Sequence, residues 1–346
     1  MAELLTLPNL IALIMAIALN AYVLLGGADF GGGVWDLLAF GQRREAQREL
    51  ITATIGPIWE ANHVWLIFVV VLLFTCFPPA FAELSIDLHI PLLLMLVGIV
   101  LRGSAFAFRS YGRHDYRTEQ RWGVTFSVAS VVTPVLLGVS IGAIASGRLG
   151  GPVEGGFVAR FVSPWLTGFG LAAGLLALTL FGFLAAVYLT VEAEDRGLQE
   201  DFRRRALAAA VAVFFAALLV FVLSHGVTAP RVAEGLTRSA WAIPLHLLTA
   251  AAALTAIGAL WRRRYNVARV AAAAQVSLIL WGWLLAQYPY LVPERITIRE
   301  AAAPAATLRL VLIGLAVGMA ILLPSLAYLF RVFRKIPRAR RGQWSS

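Results

Sequence analysis

The chain contains nine stretches of roughly 20 or more mostly apolar residues, and no other feature constrains its fold as strongly. They lie at about 8–40, 52–77, 88–109, 122–146, 164–191, 206–226, 240–261, 266–288 and 306–333. An α-helix of about 20 residues crosses the hydrocarbon core of a bilayer. It also satisfies its own backbone hydrogen bonds there, which an irregular segment in contact with lipid cannot do. We therefore expect an all-α integral membrane protein with about nine transmembrane helices.

Composition supports lipid as the solvent for most of the surface. Hydrophobic residues make up 60% of the chain and charged residues 14%, whereas soluble proteins carry about 25% charged residues. No polar stretch is long enough to form a soluble domain. We expect a single membrane domain over residues 1–346 with a basic C-terminal tail over 331–346. The expected arrangement is two four-helix bundles plus one extra helix.

The distribution of Lys and Arg predicts the orientation in the membrane. Of 29 such residues, 21 fall in the first, third, fifth and seventh loops and the C-terminal tail, and 7 fall on the opposite side. Basic residues concentrate in cytoplasmic loops. The N-terminus is thus predicted outside and the C-terminus inside, in a bacterial or archaeal cytoplasmic membrane. Because this topology accounts for the net charge of +10, no nucleic-acid partner is expected.

Five ionisable residues fall inside the first three apolar segments, where such groups are costly and usually functional. They are Asp29 and Asp36 in the first segment, Glu60 and His63 in the second, and Arg102 in the third. Counted from the cytoplasmic ends at about 1.5 Å per residue, Asp29, Glu60 and Arg102 lie at comparable depths of roughly 10–16 Å. These three side chains are therefore expected to form a cluster in the cytoplasmic half of the membrane.

Two interpretations of this cluster remain open from spacing alone. Buried carboxylates beside a cation can take up and release protons, so Asp29, Glu60 and Asp36 are candidates for a proton relay with Arg102 as counter-charge. Asp29 and Asp36 share one helix face, and glycines around Asp29 admit another helix closely. The other interpretation is a structural ion pair that joins the first three helices.

Histidines and cysteines limit the cofactors that this chain can bind. A transmembrane di-haem cytochrome b places two histidines on one helix, but no apolar segment here carries two. The five histidines are His63, His89, His114, His225 and His246. One cysteine, Cys76, is too few for a thiolate cluster. We expect no haem, no metal ion and no catalytic residue in this chain, and His63 is expected to be a hydrogen-bonded interior residue.

Two other functional classes were considered on the same residues. A secondary transporter is compatible with the glycine-rich first segment and with charges at membrane depth. Its pseudo-symmetry, however, predicts a matching set of charges in the second half of the chain, and that set is missing from the sequence. A purely structural membrane subunit is the remaining alternative.

Motifs in the first three segments resemble cytochrome bd oxidase subunit II. Gly27-Ala-Asp-Phe-Gly-Gly-Gly33 and Gly56-Pro-Ile-Trp-Glu-Ala-Asn-His-Val-Trp65 are similar to the family's D-G-F-D-x-G-x-G and W-D-G-N-x-V-W. Arg102-Gly-Ser-Ala-Phe-Ala-Phe-Arg109 resembles R-x-x-x-F-x-x-R. Further similarity lies at 241–244, at 288–293 and at Pro324 with the basic tail, so the resemblance extends from the first segment to the last.

The resemblance implies a haem-free subunit of a quinol:O2 oxidoreductase. Its implied partner is a haem-bearing subunit I, with haems of b and d type or of b type alone, and quinol is the substrate of the complex. A small single-helix accessory subunit and a structural quinone or lipid are left open. The motif positions that carry over are Asp29, Trp59, Glu60, Asn62, Trp65, Arg102 and Arg109.

The chain departs from the family motifs at three positions. The first acid of the first motif is Gly26 here, the acid of the second motif is Glu60 instead of Asp, and the acid before the final arginine of the third motif is Ala107. Glu60 keeps a titratable group on a longer side chain. Gly26 removes one, and either Asp36 or an ordered water could compensate.

Overall fold

The fold was examined in a computed structural model, which describes residues 6–55, 59–111, 116–150, 156–225 and 228–335. Helices account for almost all of it. In chain order they are α1 (Leu7–Leu37), α2 (Arg44–Ile55), α3 (Trp59–Cys76), α4 (Pro78–Asp87), α5 (His89–Tyr111), α6 (Tyr116–Ala145), α7 (Gly156–Phe161), α8 (Gly168–Glu192), α9 (Arg196–Ser224), α10 (Pro230–Arg238), α11 (Ala242–Trp261), α12 (Tyr265–Gln287) and α13 (Ala305–Lys335). A two-stranded antiparallel hairpin, β1 (Tyr290–Val292) and β2 (Ile296–Thr297), precedes α13.

Most of these helices are membrane spans by length and composition. Eight helices in the described ranges are long and apolar enough to cross a bilayer, and the number rises to nine if α3 and α4 form one broken span. The axes of α3 and α4 differ by 118°. Each predicted apolar segment overlaps one of the helices α1, α3, α5, α6, α8, α9, α11, α12 and α13 over most of its length. The prediction of an all-α, multi-pass membrane protein is therefore confirmed.

The second predicted segment, 52–77, is wrong at its N-terminal end. Residues 52–55 belong to α2, a separate helix that mixes charged residues with the buried side chains Gln47, Ile51 and Ile55. The described part of helix α3 starts at Trp59, and Glu60 is its second residue. The depth assigned to Glu60 by counting from Ile51 therefore does not apply.

Several short elements and one helix start were not predicted. Helices α4, α7 and α10 and the β-hairpin lie between the spans, where hydropathy carries no signal for them. Helix α9 begins at Arg196, about ten residues before the predicted segment at 206–226. Its early start is capped by Asp195, whose side chain accepts a hydrogen bond from the backbone N–H of Leu198. A polar helical extension of this kind lengthens the helix beyond its apolar part.

Helix α8 is central in the packing and contacts α1, α6, α9 and α12. Small residues allow these close approaches. A Cβ at Gly31 of α1 would overlap the backbone carbonyl of Phe181 in α8, and one at Gly138 of α6 would overlap the backbone at Ala173 and Gly174. Van der Waals packing at small residues drives helix association in lipid, where apolar side chains gain little by leaving the bilayer. The prediction that glycines of the first helix admit a close neighbour is confirmed.

The helices group partly along the chain. Helix α1 packs on α3 and α6, and α5 packs on α6, while α8, α9, α11 and α12 contact one another in sequence. Because α8 also packs broadly against α1 and α6, the division into two four-helix bundles stays a prediction. Helix α13 contacts α1 and α3, and only 6% of an apolar 18-residue window within Ala305–Ser325 is buried. Most of the basic tail, at 336–346, lies outside the described residues.

Candidate functional site

Asp29 and Asn62 form a buried polar contact between α1 and α3. The Asn62 amide Nδ2 donates a hydrogen bond to Asp29 Oδ2 at 2.5 Å. Only 4% of Asp29 and 3% of Asn62 is exposed. Both residues come from the motifs that the sequence analysis singled out, and the structure brings them together. A carboxyl group thus lies inside the helical assembly with an amide that holds one of its oxygen atoms.

Arg102 of α5 lies beside this contact and is 1% exposed. Its Nε donates to Ser130 Oγ of α6 at 3.2 Å. Its guanidinium carbon lies 4.7 Å from the ring centre of Phe30 and 5.2 Å from that of Phe126. It also interacts electrostatically with Asp29. The predicted cluster of Asp29, Glu60 and Arg102 stays a prediction, and the electrostatic interaction of Asp29 with Arg102 is consistent with it.

Asp36 lies two turns after Asp29 on α1 and has a different set of partners. Ser127 Oγ of α6 donates to Asp36 Oδ2 at 2.9 Å. Arg48 Nε of α2 lies 3.8 Å from Asp36 Oδ1, and the guanidinium also donates to the Asp36 backbone oxygen at 3.4 Å. The side chain of Asp36 is 1% exposed, whereas that of Arg48 is 30% exposed. Arg48 thus connects a buried carboxylate to the protein surface.

Two hydroxyl groups of α6 lie next to the charged residues at the two depths described above. Ser127 contacts Asp36, and Ser130, one turn further along α6, contacts Arg102. We call the set Asp36, Ser127, Ser130, Arg102, Asp29 and Asn62 the buried polar column. Sequence reasoning missed both serines, because isolated hydroxyls are common in transmembrane helices and usually bond to their own backbone. The sequence feature that could have indicated them is their spacing of three residues, which puts both side chains on one face of a helix.

Aromatic side chains enclose the column. A Cβ at Gly26 would come 2.8 Å from Cε2 of the Tyr22 ring, so this ring fills the space over Gly26. Tyr22 interacts electrostatically with Asp29. The His63 ring centre lies 6.1 Å from that of Tyr22 and 5.7 Å from that of Phe30. Tyr22 was not selected from the sequence, since an aromatic residue in an apolar segment gives no functional signal.

Three of the predicted site residues cannot be placed by their contacts. The side chains of Trp59, Glu60 and Arg109 lie outside the described residues, although the backbone of each belongs to α3 or α5. Trp65 is described and packs against the main hydrophobic core, which also contains Phe181. It does not join the polar column through any hydrogen bond among the described residues.

A polar network near the N-terminus of α9 holds α2 in place. Arg43 Nη2 pairs with Asp201 Oδ1 at 2.6 Å, and Gln47 Nε2 donates to Asp201 Oδ2 at 2.9 Å. Arg205 Nη2 in turn donates to Gln47 Oε1 at 2.8 Å. The hydrogen bond from Arg43 to Asp201, together with the negative charge of that carboxylate, raises the pKa of Arg43 above its usual value. The network therefore positions the helix that carries Arg48.

The described histidines are dispersed. His89, His225 and His246 each hydrogen-bond through Nδ1 to a backbone carbonyl three or four residues earlier, at 2.6–2.7 Å. Among the described residues, no group of three or more His, Cys, Asp or Glu side chains could hold a metal ion. His114 lies outside the described residues.

The chain is similar to known proteins over most of its length. It matches the family cytochrome bd terminal oxidase subunit II over residues 7–333. It is 28% identical over 221 residues to cytochrome bd ubiquinol oxidase subunit 2 of Bacillus subtilis, covering 63% of each chain. It is 26% identical over 185 residues to cytochrome bd-I ubiquinol oxidase subunit 2 of Escherichia coli K12, covering 51% of this chain and 46% of that one. These matches therefore span less than two thirds of the relatives' length.

The fold is also similar to a solved structure. The bd oxidase structure from Geobacillus thermodenitrificans contains a chain that superimposes with a TM-score of 0.78 at 22% identity, covering 95% of this chain and 99% of that one. Because the family match extends from α1 into α13, the chain belongs to the cytochrome bd terminal oxidase subunit II family.

Proposed function

We propose that this chain is the haem-free subunit II of a cytochrome bd-type terminal oxidase, a complex that oxidises quinol and reduces O2 to water. Family membership over residues 7–333 supports this assignment. Its partner is a haem-bearing subunit I, whose haems are of b and d type or of b type alone. A small single-helix accessory subunit and a structural lipid or quinone are compatible with the apolar exposed faces.

The absence of haem from this chain is part of the proposal. Three described histidines already bond through Nδ1 to backbone carbonyls three or four residues earlier in the chain. The ring of the fourth, His63, lies between those of Tyr22 and Phe30. Each described imidazole thus has a protein neighbour, which supports the haem-free assignment. The haem of the partner supplies the O2 chemistry, and an optical spectrum of the separated chain tests this, since stoichiometric haem there would contradict it.

We propose further that the buried polar column carries protons from the cytoplasm. Its entry is the exposed end at Arg48 and Asp36, and its inner end is the Asp29–Asn62 contact. Carboxylates take up and release protons, while serine hydroxyls both donate and accept hydrogen bonds. The alternation of these groups across α1, α3, α5 and α6 is the observation that carries the proposal. Glu60 belongs to the same path by its motif position.

Each charged group in the column has a distinct role in this mechanism. Asp29 binds and releases the proton, and Asn62 orients the carboxyl group through its 2.5 Å hydrogen bond. Arg102 compensates the negative charge of Asp29 between proton transfers. Because quinol releases its protons on the outer side while the column draws protons from inside, turnover of the complex is electrogenic.

The Asp29→Asn variant of the oxidase tests the relay. The amide keeps the shape and most hydrogen bonds of the carboxyl group but cannot titrate. We expect O2 consumption to fall about a hundredfold, since a positioned proton-transfer group is typically worth about 10²–10⁴ in rate. Haem content should stay near normal, and reduction of the haems by quinol should be affected less than the steps coupled to proton uptake. Glu60→Gln is expected to behave in the same way.

Asp87→Asn provides a matched control. Asp87 ends α4 and is 2% exposed, so it is as buried as Asp29, but it accepts a hydrogen bond from the backbone N–H of Gly150 and has no contact with the column. Turnover of this variant should stay close to the wild-type rate. Wild-type turnover in assembled Asp29→Asn and Glu60→Gln would favour the structural ion pair, and failure of both to assemble would count against a relay role for these carboxyl groups.

A further inference from the structure

Two buried polar atoms beside the column have no hydrogen-bond partner among the described protein atoms. They are Nη2 of Arg102 on α5 and Oγ1 of Thr133 on α6. Each residue is only 1% exposed, so bulk solvent does not reach either atom. Buried donors and acceptors in native proteins are almost always paired, with protein or with ordered water. Each of the two atoms therefore requires a hydrogen-bond partner, which is either one group that both share or one group for each.

The two atoms belong to the same level of the α5–α6 contact. Thr133 Oγ1 abuts Gly98, since a Cβ at Gly98 would overlap it. Gly98 lies one turn before Arg102 on α5, and Ser130, which binds Arg102, lies one turn before Thr133 on α6. Side chains of a helix lean toward its N-terminus, so the Arg102 side chain extends toward the level of Gly98. The two residues thus lie on neighbouring turns of the α5–α6 contact.

Thr133 differs from Ser130 and Ser140, two other buried hydroxyl residues on its helix. Ser130 Oγ donates to the Phe126 carbonyl at 2.7 Å, and Ser140 Oγ donates to the Leu136 carbonyl at 2.8 Å. Such bonds to the preceding turn are the usual way in which a hydroxyl is satisfied in a transmembrane helix. Thr133 makes no such bond, and its hydroxyl is instead directed at α5. This orientation leaves the hydroxyl available to a molecule bound between the helices.

We propose that a water molecule binds between Arg102 Nη2 and Thr133 Oγ1 and serves the proton relay at Asp29. A water accepts a hydrogen bond from the guanidinium and donates one to the hydroxyl oxygen, which satisfies both atoms. It adds an exchangeable proton carrier one turn beyond Ser130. This inference rests on the proposed relay function, because it assigns Thr133 as a positioning residue of the same site.

The test uses the purified, assembled oxidase and its Thr133→Val variant. Valine keeps the shape of threonine and removes the hydroxyl group. A density map that resolves ordered water should show a water bound to Arg102 and Thr133 in the wild type and none at that position in the variant. Turnover should fall about fivefold, which corresponds to losing one hydrogen bond of about 1 kcal/mol in the rate-limiting step. The ratio of turnover in H2O to that in D2O should rise, which a purely structural role would not produce.

Two further variants act as controls. Thr133→Ser retains the hydroxyl group and should keep both the water and the wild-type rate. Ser140→Ala removes a buried hydroxyl that is 4% exposed and bonds to its own helix, so turnover and isotope ratio should not change. Equal effects of Thr133→Val and Ser140→Ala would show a general packing defect and overturn the proposal.

The outcomes separate this inference from the relay itself. A wild-type map without water at this position overturns the inference, whatever the activity of Asp29→Asn. Unchanged turnover and isotope ratio in Thr133→Val also overturn it, because the water would then not serve the relay. If Asp29→Asn turns over at the wild-type rate while the water is present, the relay function fails, and the water site is reduced to a structural one.

Discussion

Arg102 carries its charge at a position where 1% of its surface is exposed. It holds together groups from three helices, because it bonds Ser130 of α6 from α5 and interacts electrostatically with Asp29 of α1. A buried charge is tolerated when an opposite charge and hydrogen bonds compensate its loss of hydration. At the residue scale, Asp29 and Arg102 are therefore interdependent, because either one without the other would be an uncompensated buried charge.

Arg102→Leu is predicted to impair assembly more than it impairs the activity of assembled enzyme. The change leaves Asp29 without its counter-charge, and breaking a buried pair typically costs about 3–5 kcal/mol. Membrane extracts should contain less of the chain and less haem-loaded complex. Combining Arg102→Leu with Asp29→Asn removes the uncompensated charge and should partly restore the amount of complex. Normal assembly of the single variant would show that Asp29 does not depend on Arg102.

Gly26 shows how a departure from the family motif is accommodated by a neighbour. The resemblance implies an acid at this position, but here the Tyr22 ring occupies the space that its Cβ would need. Tyr22 places a phenol beside the same two charges, Asp29 and Arg102. The Tyr22 ring therefore fills the volume that the acidic side chain would occupy. It does not replace the carboxyl group of that side chain.

At the scale of elements, α1 is shaped by glycines on two sides of the helix. Gly31 brings the α1 backbone against α8, and Gly33 brings it against Ser130 of α6. Because Asp29 lies one turn before Gly33, the close approach of α6 also brings hydroxyl groups near the carboxylates of α1. Close packing and the polar column thus depend on the same short segment.

Gly31→Ala is predicted to destabilise the α1–α8 contact. The added methyl group would overlap the backbone carbonyl of Phe181, which cannot rotate away. Overpacking of this kind costs about 1–3 kcal/mol. The thermal unfolding midpoint of the purified complex in detergent should fall measurably. Gly258→Ala in α11 is the matched control, since a Cβ there meets nothing within 4 Å. This variant should be neutral or stabilised by up to about 1 kcal/mol, and equal midpoints for the two variants would contradict the prediction.

At the scale of the whole molecule, the distribution of charge predicts the orientation. The 21 to 7 division of Lys and Arg predicts that the C-terminal tail lies in the cytoplasm. In that orientation, Arg48 and the network that holds α2 lie on the cytoplasmic side, where a proton entry is required. The orientation and the direction of proton uptake are thus linked predictions.

A reporter protein fused after Ser346 tests the orientation. A reporter that functions only in the cytoplasm should be active, and one that functions only outside should be inactive. A second fusion at the N-terminus is expected to give the opposite pattern, because the predicted nine spans would place the two ends on opposite sides. Matching locations of the two ends would mean that the α3–α4 segment, bent by 118°, does not cross the membrane.

The sequence by itself determined the class of the molecule. Hydropathy is a local property, so the apolar segments predict spans from residues that are adjacent in the chain. The short motifs around Asp29, Glu60 and Arg102 were sufficient to suggest the family, and the common depth of Asp29 and Arg102 predicted their approach. Segment ends were less accurate, since a polar helical extension such as the start of α9 has no hydropathy signal.

Only the tertiary structure decided which groups meet in the membrane. Asn62 binds Asp29 across a separation of 33 residues, and Ser127 binds Asp36 across 91. Such contacts depend on the rotation and crossing of packed helices, which small residues permit but do not specify locally. The separate helix α2 likewise depends on Gln47 finding Asp201 and Arg205 on α9. Hydropathy predicts that helices cross the membrane, whereas their mutual packing selects the side chains that form the polar column.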